Sequence, residues 1–94
     1  MKKFKLSIII PTWNRKKKLI KLLKNILPKL EKTDIKYQIH ICDSYSSDGT
    51  QIALQNLYGR NHKILFHNIK INSISRKRNE GLKNAKFANI LFLD

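Results

Sequence analysis

The sequence predicts an α/β fold: a mostly parallel four-stranded sheet with flanking helices. Three observations carry that reading. Compact apolar runs alternate with segments of helical period in the order β-α-β-α-β-α-β. The first run, Leu6 to Ile10, is rich in β-branched residues and bounded by Pro11, as suits a strand covered on both faces. Strands that alternate with helices call for crossover connections and hence parallel pairing. No internal repeat, Gly/Ser linker or second domain interrupts the 94 residues, the size of one small domain.

Each element has its own justification. After the first strand, Asn14 is placed to cap a helix. Leu19, Ile20, Leu22, Leu23, Ile26, Leu27 and Leu30 recur at helical spacing with lysines between them, and Pro28 is expected to end or kink that helix. Tyr37 to Cys42 reads as the second strand, and DSYSSDGT as the turn after it. In that turn Ser46 or Ser47 is the expected N-cap, with Asp48 near the positive end of the next helix. A helix through Ile52, Leu54 and Leu57 should stop near Gly59. KILFHN is the third strand. SISRKRNEGLKNAKF reads as a loop and then a helix, in which Gly81 lowers stability. NILFL is the fourth strand, with Ile90 to Leu93 a buried apolar run that closes on Asp94.

Composition narrows the function. Twenty Lys+Arg against six Asp+Glu give a formal net charge of +14. Such an excess fits nucleic acid, anionic lipid or a phosphorylated ligand. It fits equally a compositional drift that spreads lysine over a solvated surface. Cys42 is the one cysteine, so no internal disulfide forms and a reducing compartment fits. A packed, inert thiol is expected there. His40, His62 and His67 are scattered and read as structural, and no Cys/His spacing suggests a metal. The N-terminal apolar run is too short for a signal h-region, and no stretch approaches the roughly 20 apolar residues of a membrane span.

In open α/β sheets, ligands bind outside the carboxyl ends of the strands. Three strands end there in polar clusters: Pro11-Thr12-Trp13-Asn14, Asp43-Ser44 and Asp94. Parallel pairing places all three on one edge. The first turn lacks G-x-G-x-x-G, and no Walker A pattern occurs, which argues against a dinucleotide clamp. Trp13 offers a face for stacking on a base or sugar, or else covers the top of the core. Arg76-Lys77-Arg78 puts positive charge at a helix start, against the macrodipole, a misfit that a bound anion would reverse. Lys16-Lys17-Lys18 repeats the misfit. Carboxylates at Asp43 and Asp94 could accept from a base N–H or ribose hydroxyls, or hold a divalent metal carrying phosphates; capping or solvation is the alternative at Asp43.

Four motifs in order, SIIIPTWNR, ICDSYSSDGT, SRKRNEGLKNA and ILFLD, make the chain resemble the N-terminal, nucleotide-binding half of a family 2 glycosyltransferase, a Rossmann-like, partial GT-A fold. The resemblance implies that residues 1–94 are a nucleotide-sugar-binding domain whose acceptor half lies further on. Pro11, Thr12 and Trp13 match the turn lining the nucleobase pocket, with Trp where the family more often has Tyr. Asp43-Ser44 matches a paired-Asp position that contacts a uracil-like base, with Ser44 replacing the second Asp and Tyr45 standing where Gly is usual. Arg78, followed by Asn79, matches the family's Arg-Asn at the helix start that faces the nucleotide. Asp94 matches the first Asp of the Asp-x-Asp signature; in the family the later Asp of that signature holds a divalent metal, Mn or Mg, on the diphosphate, and the resemblance implies that Asp94 belongs to this metal site.

The resemblance further implies sugar transfer from a nucleotide diphosphate sugar to a glycan or lipid-linked acceptor, in cell-surface polysaccharide or glycolipid synthesis. It places the protein in the cytoplasm, with the inner membrane face as a site of peripheral association. The 94 residues alone are expected to bind nucleotide without transferring sugar. The competing readings are a small basic nucleic-acid-binding module, whose signatures are missing, and a non-catalytic pseudoenzyme of the same fold.

Overall fold

The computed structural model describes residues 4–93. Asp94, the last residue of the candidate site, lies outside them. The described residues form β1 (Lys5–Thr12), α1 (Lys16–Glu31), β2 (Lys36–Asp43), α2 (Thr50–Tyr58), β3 (Ile64–Asn68), α3 (Ile74–Asn84) and β4 (Asn89–Phe92). The sheet order is β3-β2-β1-β4. All three pairings are parallel, with Thr12 opposite Asp43 at the carboxyl edge. The chain steps outward from β1 through β2 to β3, then returns to the other side of β1 for β4. The reversal makes the end of β1 a topological switch point, where open α/β sheets bind ligands.

The two faces of the sheet differ in chemistry. Ile8 and Ile10 of β1 with Tyr37, Ile39 and Ile41 of β2 pack against Leu19 and Leu23 of α1 and Leu54 of α2, forming the apolar core. The opposite face carries α3 and is markedly polar. Ser7 Oγ accepts from Phe87 N–H at 3.0 Å, and Gln38 Oε1 accepts from Lys86 N–H at 3.0 Å. His40 Nδ1 lies 2.9 Å from His67 Nε2, with the rings stacked at 5.2 Å. His40 Nε2 lies 3.0 Å from Gln38 Oε1. With Gln38 Oε1 as acceptor, His40 keeps its proton on Nε2 and accepts from His67 on Nδ1. Burial holds both rings below their ordinary pKa, His40 at about 4.

Several local expectations give way to longer-range contacts. Asn14 does not cap α1: Arg15 occupies the N-cap without a side-chain bond, and Asn14 has φ 49°. Asp48, 32 residues away, takes the role, accepting from Lys16 N–H at 3.0 Å. The same carboxylate accepts from Thr50 N–H at 3.2 Å and from the Thr50 hydroxyl, so it ties together the starts of α1 and α2. Neither Ser46 nor Ser47 caps α2; Gly49, at φ 82°, is its N-cap. Pro28 sits inside α1, which runs on to Glu31 because the lost N–H affects only the last turn. Ile52 and Leu57 are exposed, leaving Leu54 as the buried anchor of α2. The apolar run ending in β4 is not buried as expected: Leu91 and Phe92 are exposed, on a strand that among the described residues pairs only with β1.

Candidate functional site

A cleft of about 410 Å³ opens at the carboxyl end of β1. Its walls come from Pro11, Thr12 and Trp13, from Arg15 and Lys18 at the start of α1, and from Asn72, Ile74 and Lys77 at the start of α3. Ile10, Leu19 and Leu22 form its apolar floor. Two helix starts therefore flank the switch point, each contributing cations. Trp13 is 47% exposed, so its ring remains available at the mouth and does not close over the core.

The turns around the cleft brace each other. Asn14 N–H donates to Ser46 Oγ at 2.8 Å, and Ser47 N–H donates to Asn14 Oδ1 at 2.7 Å. The turn after β1 is thus fastened to the turn after β2. Asn14 and Tyr45, one in each turn, both adopt positive φ, at 49° and 51°. A tyrosine in that region is an uncommon, strained choice, and such strain tends to gather at functional turns. Asp43 is buried, and its carboxylate accepts from Ser46 N–H at 2.9 Å and from the Ser46 hydroxyl.

The sequence-predicted residues divide into two groups. Pro11, Thr12 and Trp13 line the cleft together. Asp43 and Ser44 sit at the end of the neighbouring strand, beside the cleft and outside its lining; the Ser44 hydroxyl donates to Ile71 O at 3.3 Å. Arg78 lies towards β4, its guanidinium 5.3 Å from the centre of the Phe92 ring. The basic run at the start of α3 splits likewise. Arg76 is exposed, whereas Lys77 turns inward and is 3% exposed. Ser73 caps this helix by accepting from Arg76 N–H at 3.4 Å.

Lys77 Nζ donates to Thr12 O at 3.1 Å and to Asn72 Oδ1 at 2.7 Å. Burial pushes its pKa below the ordinary lysine value, while Asp43 pulls the other way. In the sequence Lys77 is one of the basic triplet Arg76-Lys77-Arg78. The signal that singles it out is its spacing from Gly81: one helical turn separates them, so both face the sheet. A Cβ on Gly81 would lie 2.5 Å from Ile9 Cγ2, which shows how closely that face approaches β1.

A parallel sheet of this order, with an aromatic face and cations around a cleft at its switch point, defines an α/β domain with its cleft at the carboxyl edge, where open α/β sheets bind ligands. The profile of glycosyl transferase family 2 matches residues 7–94, and the chain belongs to that family. Among solved structures it is similar to Staphylococcus aureus TarS residues 1–349, with 29% identity and a TM-score of 0.73 over 97% of this chain and 27% of that one. The same protein in complex with UDP gives 28% identity and a TM-score of 0.69, again over 97% of this chain and 27% of that one. The chain thus spans about a quarter of the solved chains it resembles.

Proposed function

We propose that this chain forms the donor-binding part of a glycosyltransferase that moves a sugar from a nucleotide diphosphate sugar, a UDP-sugar in the first instance, to a glycan or lipid-linked acceptor. The observation that carries the reading is the cleft at the end of β1, where Trp13 stands exposed beside Pro11 and Thr12 and beside the cations Arg15 and Lys18. A nucleobase stacks on the Trp13 ring, and Arg15 and Lys18 face the phosphates. Asp43 and Ser44 contact the base edge: each carboxylate oxygen of Asp43 has a second lone pair beyond the one Ser46 occupies. Arg78 flanks the nucleotide on the β4 side. The UDP complex of TarS supports the choice of nucleotide.

Asp94 remains the proposed metal-binding residue. Among the described residues no group of three or more His, Cys, Asp or Glu could hold a metal ion. Transfer also needs a base to take the acceptor's hydroxyl proton. Our proposal is that the 94 residues alone bind donor without transferring sugar; sugar transfer or donor hydrolysis by the purified chain would overturn that statement. The acceptor belongs to cell-surface polysaccharide or glycolipid assembly, at the cytoplasmic face of the membrane. No helix among the described residues is long and apolar enough to cross a membrane.

The test is calorimetric titration of the chain with UDP, ADP and a short RNA. Saturable UDP binding that Trp13→Ala abolishes supports the proposal. Binding of RNA alone, falling steeply with salt, would replace it with the nucleic-acid reading.

A further inference from the structure

We propose that Lys77 is a specificity-determining residue of the cleft, a buried cation that makes it select nucleotides bearing a diphosphate over the uncharged nucleoside. This rests on the donor-binding reading above and adds the group that senses ligand charge. Arg15 and Lys18 are exposed, so water screens their charge and weakens their discrimination. Lys77 is buried, lines the same cleft and, among the described residues, has no carboxylate bonded to its ammonium. Both of its acceptors, the Thr12 carbonyl and the Asn72 side-chain amide, are neutral. An ammonium has three donors, so one remains for a ligand. A buried charge whose hydrogen-bond acceptors are neutral, and which Asp43 offsets only through space, gains from an incoming anion, because the low local dielectric strengthens that attraction.

The bond to Thr12 gives Lys77 an obvious structural role as well, holding the turn that carries Trp13. The two roles separate experimentally. Loss of a purely structural lysine weakens nucleoside and nucleotide alike. Loss of a charge-sensing lysine weakens the nucleotide selectively.

The experiment compares UDP with uridine on the 94-residue chain and on Lys77→Met by calorimetry. The preference for UDP over uridine should fall by about 10-fold or more, the usual worth of a hydrogen bond to a charged group, over and above any loss of uridine affinity that release of the Thr12 turn brings. A second measurement needs no variant. The Lys77 Cε resonance of the ¹³C-labelled wild type should shift on saturation with UDP and stay in place with uridine. Saturable UDP binding that leaves this resonance unmoved, or an intact UDP preference in Lys77→Met, overturns the role of Lys77 while the donor-binding reading stands. A wild type that binds neither ligand overturns both.

Discussion

Gly81→Ala pits two effects of opposite sign against each other. In an ordinary helix interior the change would stabilise by about 1 kcal/mol, because alanine surrenders less backbone freedom. Here the added Cβ would lie 2.5 Å from Ile9 Cγ2, 3.1 Å from Cγ1 and 3.2 Å from Cδ1. Carbon atoms settle at about 3.5–4.0 Å, so α3 must retreat by about 1 Å or Ile9 must leave its rotamer. Ile9 is fully buried on the central strand and cannot swing away. Overpacking of this kind costs about 1–3 kcal/mol. The net expectation is a loss of about 1 kcal/mol, read in urea denaturation as a lower midpoint with unchanged slope, and in heating as a melting temperature about 4–8 °C lower. In an Ile9→Ala background the clash disappears, and the same substitution should become stabilising by about 1 kcal/mol, a coupling of about 2 kcal/mol. A Gly81→Ala variant more stable than the parent would refute the close packing of α3 on β1, and with it the inward placement of Lys77.

Other expectations follow from the same geometry. Asp48→Ala removes acceptors from the starts of both α1 and α2 and should lower stability by about 1–2 kcal/mol, with Asp48→Asn retaining part of it; an unchanged urea midpoint would contradict the shared cap. The Asp48 carboxyl is held below its ordinary pKa, first by the Thr50 hydroxyl, so its contribution is full above the ordinary carboxylate range and is lost as pH falls through the lowered folded value. His40 and His67 also have folded pKa values below the ordinary 6.5, so the unfolded chain binds their protons more readily. Their contribution is complete above about pH 6.5 and is lost as pH falls toward about 4; stability that stays flat across that window would disprove the neutral pair. Burial pushes the Cys42 thiol up to about 11, so thiol reagents should modify it only as fast as the chain unfolds, a rate that follows urea concentration.

What the sequence disclosed was set by the range of each interaction. Strands such as Leu6 to Ile10 and Tyr37 to Cys42 were legible because continuous β-branched and aromatic runs report burial locally. Parallel pairing and a shared carboxyl edge followed from the alternation of elements. Residues whose partners lie far along the chain were misread. Asn14 looked like a cap, yet the cap is Asp48, and Asn14 instead binds Ser47, 33 residues on. Gly81 looked like a helix defect, yet it is where α3 meets Ile9. Lys77 was indistinguishable from its basic neighbours until its spacing from Gly81 was set against the sheet. The polar side of the sheet, with its paired His40 and His67, left no sequence signal, since each ring meets its partner only when β2 and β3 are adjacent.

The central claim, that the cleft at the end of β1 receives the nucleotide of a sugar donor, is tested most directly by an amide NMR titration of the chain with UDP. The account predicts saturable shifts concentrated at Thr12 to Lys18 and Asn72 to Lys77, with the single tryptophan's indole N–H among the largest. Absence of shifts, or small shifts scattered along the exposed lysines of α1 that vanish with added salt, would contradict it.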